Sequence, residues 1–136
     1  MANGALSSFV LQHEANAKNI LYKAVCTSDM ELLRDTLKSS PWMKFQTVKI
    51  FLETSVFTSA RTTHRTYDDW SALHLAVYLG RTDMVLALIE EFDARIDSRS
   101  IVYLLTPLVL AVAKGHHHLM NLLLSYGADP NDGEGR

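Results

Sequence analysis

The sequence contains little of what defines several common classes of protein. A single cysteine, Cys26, among 136 residues excludes an internal disulfide and favours a reducing, intracellular setting. Six glycines and three prolines, beside 48% apolar and 21% charged residues, exclude a disordered, collagen-like or low-complexity chain. Thirteen basic against fifteen acidic side chains leave no positive excess to neutralise a phosphate backbone, so we expect no nucleic-acid partner.

Long apolar runs and catalytic motifs are also missing. The longest apolar tract, residues 101–113, is interrupted by Thr106 and Pro107 and is shorter than the roughly 18 to 20 residues that span a bilayer. No basic stretch precedes an apolar run near the N-terminus, so we expect no secretory signal, no membrane partner, and a cytoplasmic or nuclear location. No HExxH, GxSxG, GxGxxG or P-loop pattern occurs, and we therefore expect no enzymatic activity and no cofactor.

The chain repeats itself with a period of 35 residues. Residues 71–80 match residues 106–115, and each segment is followed by apolar residues at equivalent positions. These are Met84, Val85, Leu88 and Ile89 in the first copy and Leu119, Met120, Leu123 and Leu124 in the second. This spacing lies on one face of an α-helix, so each unit is predicted to be a helix, a tight turn and a second helix.

The ends of the predicted first helices carry typical capping residues. Thr106 is a good N-cap and is followed by Pro107, whose missing N–H costs nothing at the first helical position. Ser71 has the same role in the earlier copy. Gly80 and Gly115 follow the first helices, where a left-handed residue is favoured.

A weaker third copy precedes these two, with Ser28 opposite Gly80. We predict a single domain in four parts. They are a divergent N-terminal repeat at 15–38, an insert at 39–66, and repeats at 67–100 and 101–133. The polar segment before the N-terminal repeat is typical of a terminal repeat, which exposes one face to water.

The insert is too apolar for a free loop. Four of its side chains lie on one helical stripe, which predicts a helix from about 42 to 58. The stripe consists of Phe45, Val48, Leu52 and Val56. The run 47–51 fits a strand equally well, and both alternatives remain open.

Several motifs together resemble the ankyrin repeat. They are Thr106-Pro107-Leu108 with Gly115, Gly127-Ala128-Asp129-Pro130-Asn131, and Ala72-Leu73-His74-Leu75-Ala76 with Gly80. The resemblance implies an all-α solenoid of stacked helix pairs, whose hairpin fingers and concave groove bind a protein or peptide partner. The chain departs from the family pattern where Asp69 and Leu104 replace the hairpin glycine, and where Val109 replaces the histidine.

The resemblance also indicates which residues would contact a partner. The finger and groove positions that we predict as partner-binding are Tyr67, Asp68, Trp70, Tyr78, Leu79, Tyr103, Leu105 and Lys114. Tyrosine and tryptophan are enriched at interface hot spots. The insert could instead fold over the groove and pack on these rings. Residues 101–105 of the second finger are all apolar, and we expect the insert or another chain to cover them.

The histidines and the cysteine give weaker signals. Consecutive helical residues point about 100° apart, so His116-His117-His118 does not form one metal-binding face, and we predict no metal site. The resemblance implies that His74 hydrogen-bonds a neighbouring turn. Cys26 has no histidine near it in sequence and is a poor nucleophile candidate.

The predicted function is therefore a non-enzymatic scaffold for protein–protein interaction. Two narrower alternatives are similar to known ankyrin families: a transcription-factor regulator of the I-kappa-B kind, and a ubiquitin-ligase substrate receptor of the fem-1 kind. A third alternative is a structural module that self-associates through an uncapped, apolar C-terminal end. The lack of a polar cap there predicts a fragment of a longer array or a covering partner. A small enzyme or metal protein is the alternative from a different class.

Overall fold

The computed structural model describes residues 20–52 and 66–130, which form three helix pairs and one two-stranded sheet. The elements are α1 (Ile20–Thr27), α2 (Met30–Ser39), a 3-10 turn (Pro41–Phe45), β1 (Val48–Leu52), β2 (Thr66–Trp70), α3 (Ala72–Leu79), α4 (Thr82–Glu90), α5 (Pro107–Lys114) and α6 (His117–Ser125). This mostly helical arrangement fits the all-α repeat fold expected from the sequence. No helix in these ranges is long and apolar enough to cross a membrane.

The predicted helix caps are confirmed. The side chain of Ser71 accepts a hydrogen bond from the backbone N–H of His74 at the start of α3. Thr106 accepts one from Val109 at the start of α5. Gly80 and Gly115 end these helices with φ of 74° and 73°, a left-handed conformation that glycine adopts without steric cost.

The first helices pack closely because small residues recur at one repeat position. Ala24, Ala76 and Ala111 lie at equivalent places in α1, α3 and α5, and all three are fully buried. Helix α3 contacts α1 on one side and α5 on the other. The apolar core therefore runs continuously through the three pairs.

At one repeat position, a side chain that precedes the second helix of a pair bonds to a backbone carbonyl of the preceding pair. Arg81 Nη2 donates to the carbonyl oxygen of Cys26 at 3.1 Å. At the equivalent position one repeat later, His116 Nε2 donates to the carbonyl oxygen of Tyr78 at 3.1 Å. The His116 ring lies against Gly80, where a Cβ would come within 3.2 Å of it. His116 therefore has a structural contact with the preceding helix pair.

The prediction of a helix over residues 42–58 is wrong for the described part of this segment. Residues 42–52 contain the end of the 3-10 turn and strand β1, and the strand alternative is confirmed. Strand β1 pairs antiparallel with β2, with Val48 opposite Trp70. Val48 and Ile50 are buried while Lys49 between them is exposed, so the period of burial is two rather than 3.6. Residues 53–58 lie outside the described ranges.

Ser28 occupies the place of the capping glycine in the first helix pair. It aligns with Gly80 and has φ of 58°, so a serine adopts a left-handed conformation there. This conformation brings Cβ too close to the following carbonyl oxygen in any L-residue other than glycine. The first turn between helices is therefore strained where the later two are not.

The Ser28→Gly substitution is expected to raise the free energy of unfolding by about 0.5 to 1 kcal/mol, because it removes this strain at a modest cost in chain entropy. Urea denaturation followed by circular dichroism measures the change. Ser39→Gly is the matched control: Ser39 is an exposed residue in right-handed helix α2, where glycine lowers stability. A loss of stability in both variants would contradict the assignment of strain to Ser28.

Candidate functional site

Strand β2 divides the predicted finger residues between two faces. Neighbouring side chains of a strand point to opposite sides, and Trp70 and Asp68 face the interior while Tyr67 faces out. Trp70 and Asp68 are 0% exposed, whereas Tyr67 is 43% exposed. The expectation that Trp70 and Asp68 present exposed side chains to a partner is therefore wrong.

Intramolecular packing covers Trp70. Its cross-strand neighbour on β1 is Val48, and Leu21 of α1 lines the same small void as the indole ring. The alternative in which the insert packs on the finger aromatics therefore holds for this ring. The cause is the pairing of β1 with β2, which places an apolar strand beside the tryptophan.

Asp68 links the first finger, which contains strand β2, to the second finger, which consists of residues 100–105. Its Oδ1 accepts from the backbone N–H of Asp69 at 2.8 Å and from that of Val102 at 2.8 Å. Its Oδ2 accepts from Trp70 Nε1 at 3.2 Å. A buried carboxylate that accepts three N–H bonds holds its donors in fixed positions. Asp68 thus positions the second finger, residues 100–105, from inside the protein.

Tyr78 and Lys114 come together on the groove face. Lys114 Nζ lies 4.7 Å from the centre of the Tyr78 ring, which is cation–π geometry. The Tyr78 ring in turn meets Trp70 edge-on, with ring centres 5.0 Å apart. Tyr78 and the adjacent Leu79 are half-buried and Lys114 is exposed. This face therefore presents an aromatic ring that is supported from beneath by the buried tryptophan.

The second finger carries three exposed aliphatic side chains near this groove. Ile101 is 61% exposed, and Val102 and Leu104 are also exposed, while Tyr103 and Leu105 are half-buried. We call Ile101, Val102 and Leu104 the apolar finger. The described part of the insert leaves these three side chains open to solvent. Leu104, which replaces the family glycine, has φ of 57° and is held in a left-handed conformation.

His74 fixes the base of the second finger. Its Nε2 donates to the carbonyl oxygen of Leu105 at 2.7 Å, because a carbonyl can only accept, and its Nδ1 accepts from the Ser71 hydroxyl at 2.8 Å. The same carbonyl accepts from the backbone N–H of Ser100 at 2.9 Å. The expectation that His74 hydrogen-bonds a neighbouring turn is confirmed. Burial lowers the pKa of His74, which keeps the imidazole neutral in this position.

The free energy of unfolding is expected to fall as the pH drops below about 6.5, the ordinary pKa of histidine in an unfolded chain. The pKa of His74 is lowered in the folded protein, so the unfolded chain takes up a proton at a higher pH than the folded protein does. Each unit by which the pH falls between the two pKa values therefore lowers the free energy of unfolding by up to about 1.4 kcal/mol. Urea denaturation between pH 7 and pH 5 measures the slope. A His74→Gln variant should lose this slope, and His118→Gln, at an exposed position, should keep it. Equal slopes in all three proteins would contradict the assignment.

Other reactive side chains do not converge in the described ranges. No group of three or more His, Cys, Asp or Glu residues within 20–52 and 66–130 is arranged to hold a metal ion. Burial raises the pKa of the Cys26 thiol, which disfavours the nucleophilic thiolate.

The repeated helix pairs, with a finger before each of the last two, define a helical-repeat protein. Its sequence matches the description of ankyrin repeats, in three copies, over residues 43–134. This match covers more than half of the chain, so the protein belongs to the ankyrin-repeat family. The matched region begins at residue 43, inside the predicted insert at 39–66.

A curated relative matches a shorter stretch. The ankyrin repeat protein nuc-2 of Neurospora crassa is 38% identical over 58 residues. The match covers 43% of this chain and only 5% of that protein's length. Ankyrin repeats generally mediate protein–protein interaction and are generally non-enzymatic.

Proposed function

We propose that the protein is a non-enzymatic interaction module that binds a protein or peptide partner through the apolar finger and the neighbouring groove. The observation that carries this proposal is the exposure of the apolar finger, with Ile101 61% open to solvent. Adjacent large apolar side chains on a surface mark interaction sites more often than isolated ones do. Burying them against a partner would remove their apolar area from water.

The proposed contact surface keeps six of the eight residues indicated by the sequence. They are Tyr67, Tyr78, Leu79, Tyr103, Leu105 and Lys114. Asp68 and Trp70 act from the interior as positioning residues, because they hold Val102 and Tyr78 in place. The net charge of −2 predicts little electrostatic steering, so affinity rests on buried rings and a few hydrogen bonds.

A pair of matched isoleucine variants tests the proposed surface. Ile101→Asp places a charge on the apolar finger, and Ile20→Asp places the same charge on α1, where Ile20 is 49% exposed. A partner retained by the immobilised wild-type protein should bind Ile101→Asp at least 10-fold more weakly and Ile20→Asp unchanged. Tyr78→Ala should cost on the order of 2 kcal/mol of binding if this ring is a hot spot. Equal retention by the two isoleucine variants, with both folded, would refute the proposed site.

Self-association is a second candidate, supported by the outer face of α5 and α6. An apolar groove of about 400 Å³ lies there, and Val112 in it is 57% exposed. One repeat earlier, Val77 occupies the equivalent position and is fully buried by the next helix pair. No element within the described ranges covers Val112 in this way.

Sedimentation equilibrium separates the two candidates. If the protein self-associates through this face, Val112→Asp should abolish a concentration-dependent rise in mass and Ile101→Asp should leave it unchanged. A wild-type protein that stays monomeric at all concentrations would exclude self-association. The roles of the I-kappa-B and fem-1 kinds stay predictions.

A further inference from the structure

A second concave site borders the apolar finger at Ile101. It is a cavity of about 200 Å³ between the 3-10 turn and the loop that follows α4. Lys44 from the turn and Arg95 and Arg99 from the loop line it. We call this site the basic cavity.

The charge of the basic cavity is one-sided. Its lining contains three cationic side chains and no carboxylate. Within the same loop, Asp97 accepts a hydrogen bond from the backbone N–H of Asp129 at 3.1 Å and does not line the cavity. Because the whole chain carries a net charge of −2, this local positive potential is a property of the cavity and not of the overall surface.

Lys44 is held at the cavity wall by the backbone. Its Nζ donates to the carbonyl oxygen of Phe92 and lies 5.2 Å from the centre of the Phe45 ring. An ammonium group has three donors, and the Phe92 carbonyl uses one of them. Thr47 and Ser98, which carry hydroxyl groups, also line the cavity.

The other part of the lining is apolar. Phe45 and Ile101 border the cavity, and both side chains are largely exposed. A ligand that satisfies both parts has an anionic head and an apolar body. The volume is below the roughly 300 Å³ at which pockets for drug-sized molecules begin, so the site suits one small group.

We propose that the basic cavity binds a phosphate monoester carried on an apolar ring or chain. A dianionic phosphate matches three cations better than a single carboxylate does, and guanidinium groups donate paired hydrogen bonds to phosphate oxygens. The ester's apolar part lies against Phe45 and Ile101. One wall of the cavity is the 3-10 turn, which is not part of the repeated helix–turn–helix unit. The proposal does not require a protein partner, and Ile101 is the one apolar-finger residue that also lines the cavity.

Titration with phenyl phosphate at constant ionic strength tests the site. Calorimetry with the wild-type protein should give saturable binding to one site, and inorganic phosphate should bind more weakly because it lacks the apolar body. The double variant Arg95→Gln/Arg99→Gln should bind phenyl phosphate at least 10-fold more weakly. Lys23→Gln, a loss of one charge on α1, should bind like the wild type. No saturable binding by the wild type, or equal affinity in the double variant, would overturn the proposal.

Chemical-shift mapping on the wild-type protein gives a readout that does not depend on the folding of a variant. Phenyl phosphate should shift the backbone amides of Ser98 and Ile101, and shifts confined to other regions would overturn the assignment. A tyrosine-phosphorylated peptide separates two sources of the same chemistry. Tighter binding of this peptide than of phenyl phosphate would identify a modified protein as the source, and equal or weaker binding would identify a small soluble ester.

Discussion

Replacing Trp70 with alanine is expected to lower the free energy of unfolding by about 3 to 5 kcal/mol. The indole ring is 0% exposed, packs beside Val48 of β1, and supports the Tyr78 ring at 5.0 Å. Removing it leaves a cavity that the paired strands cannot fill by a small shift, because their hydrogen bonds fix the spacing between them. Urea denaturation followed by circular dichroism at 222 nm measures the loss.

The chain contains a matched control for this substitution in its second tryptophan. Trp42 in the 3-10 turn is 61% exposed, so Trp42→Ala should change stability by less than about 0.5 kcal/mol. Similar effects of the two substitutions would contradict the buried placement of Trp70. A Trp70→Ala protein with native stability but weakened partner binding would instead support the sequence-based expectation that this ring lies on the surface.

The Asp68→Ala substitution is expected to cost about 3 kcal/mol of stability. The carboxylate accepts from two partly buried backbone N–H groups and from the buried Trp70 Nε1, and its loss leaves the three donors without this acceptor. Because one of the donors is the N–H of Val102, the apolar finger should also loosen. Amide hydrogen exchange at Val102 should therefore accelerate more than exchange within α3.

Asp69→Ala is the control for the Asp68 variant, since it removes a neighbouring carboxylate from the outer face of the same strand. Its side chain lies opposite Lys49, and a cross-strand pair of this kind contributes less than about 1 kcal/mol. A larger loss from Asp69→Ala than from Asp68→Ala would show that the two side chains have been assigned to the wrong faces of β2.

Local sequence signals predicted the helix pairs and their ends. Ser71, Thr106, Gly80 and Gly115 act on backbone groups only a few residues away, so their roles depend little on the rest of the fold. The 35-residue period then places equivalent apolar faces against each other. The hydrogen bond from His74 to the second finger was predicted from the family resemblance, because no local sequence pattern indicates it.

The insert shows where local pattern fails. Residues 45–56 carry apolar side chains that fit a helical stripe, yet Val48 and Ile50 also fit the alternation of a strand. A short apolar run fits the helical period of 3.6 and the strand period of two equally well. In this protein the pairing with β2 determines that the segment forms a strand. The burial of Trp70 follows from this pairing, so an error about the insert became an error about the site.

Two further features gave no usable signal in the sequence. The partners of Asp68 include backbone N–H groups, which every residue but proline carries, so residue identity does not reveal them. The basic cavity joins Lys44 to Arg95 and Arg99 across about 50 residues of chain. Its existence depends on how the 3-10 turn packs, which is a tertiary contact.

The side-chain bonds from Arg81 to Cys26 and from His116 to Tyr78 couple each helix pair only to its neighbour. In such an array, stability is close to a sum of unit terms and nearest-neighbour terms. Within the described ranges, the α3–α4 pair has a neighbour on both sides and each outer pair has one. Local unfolding should therefore start at the outer pairs, and α3 should open last. A partner that binds the second finger, beside α5, would stabilise the outer pair and make the three pairs unfold more cooperatively.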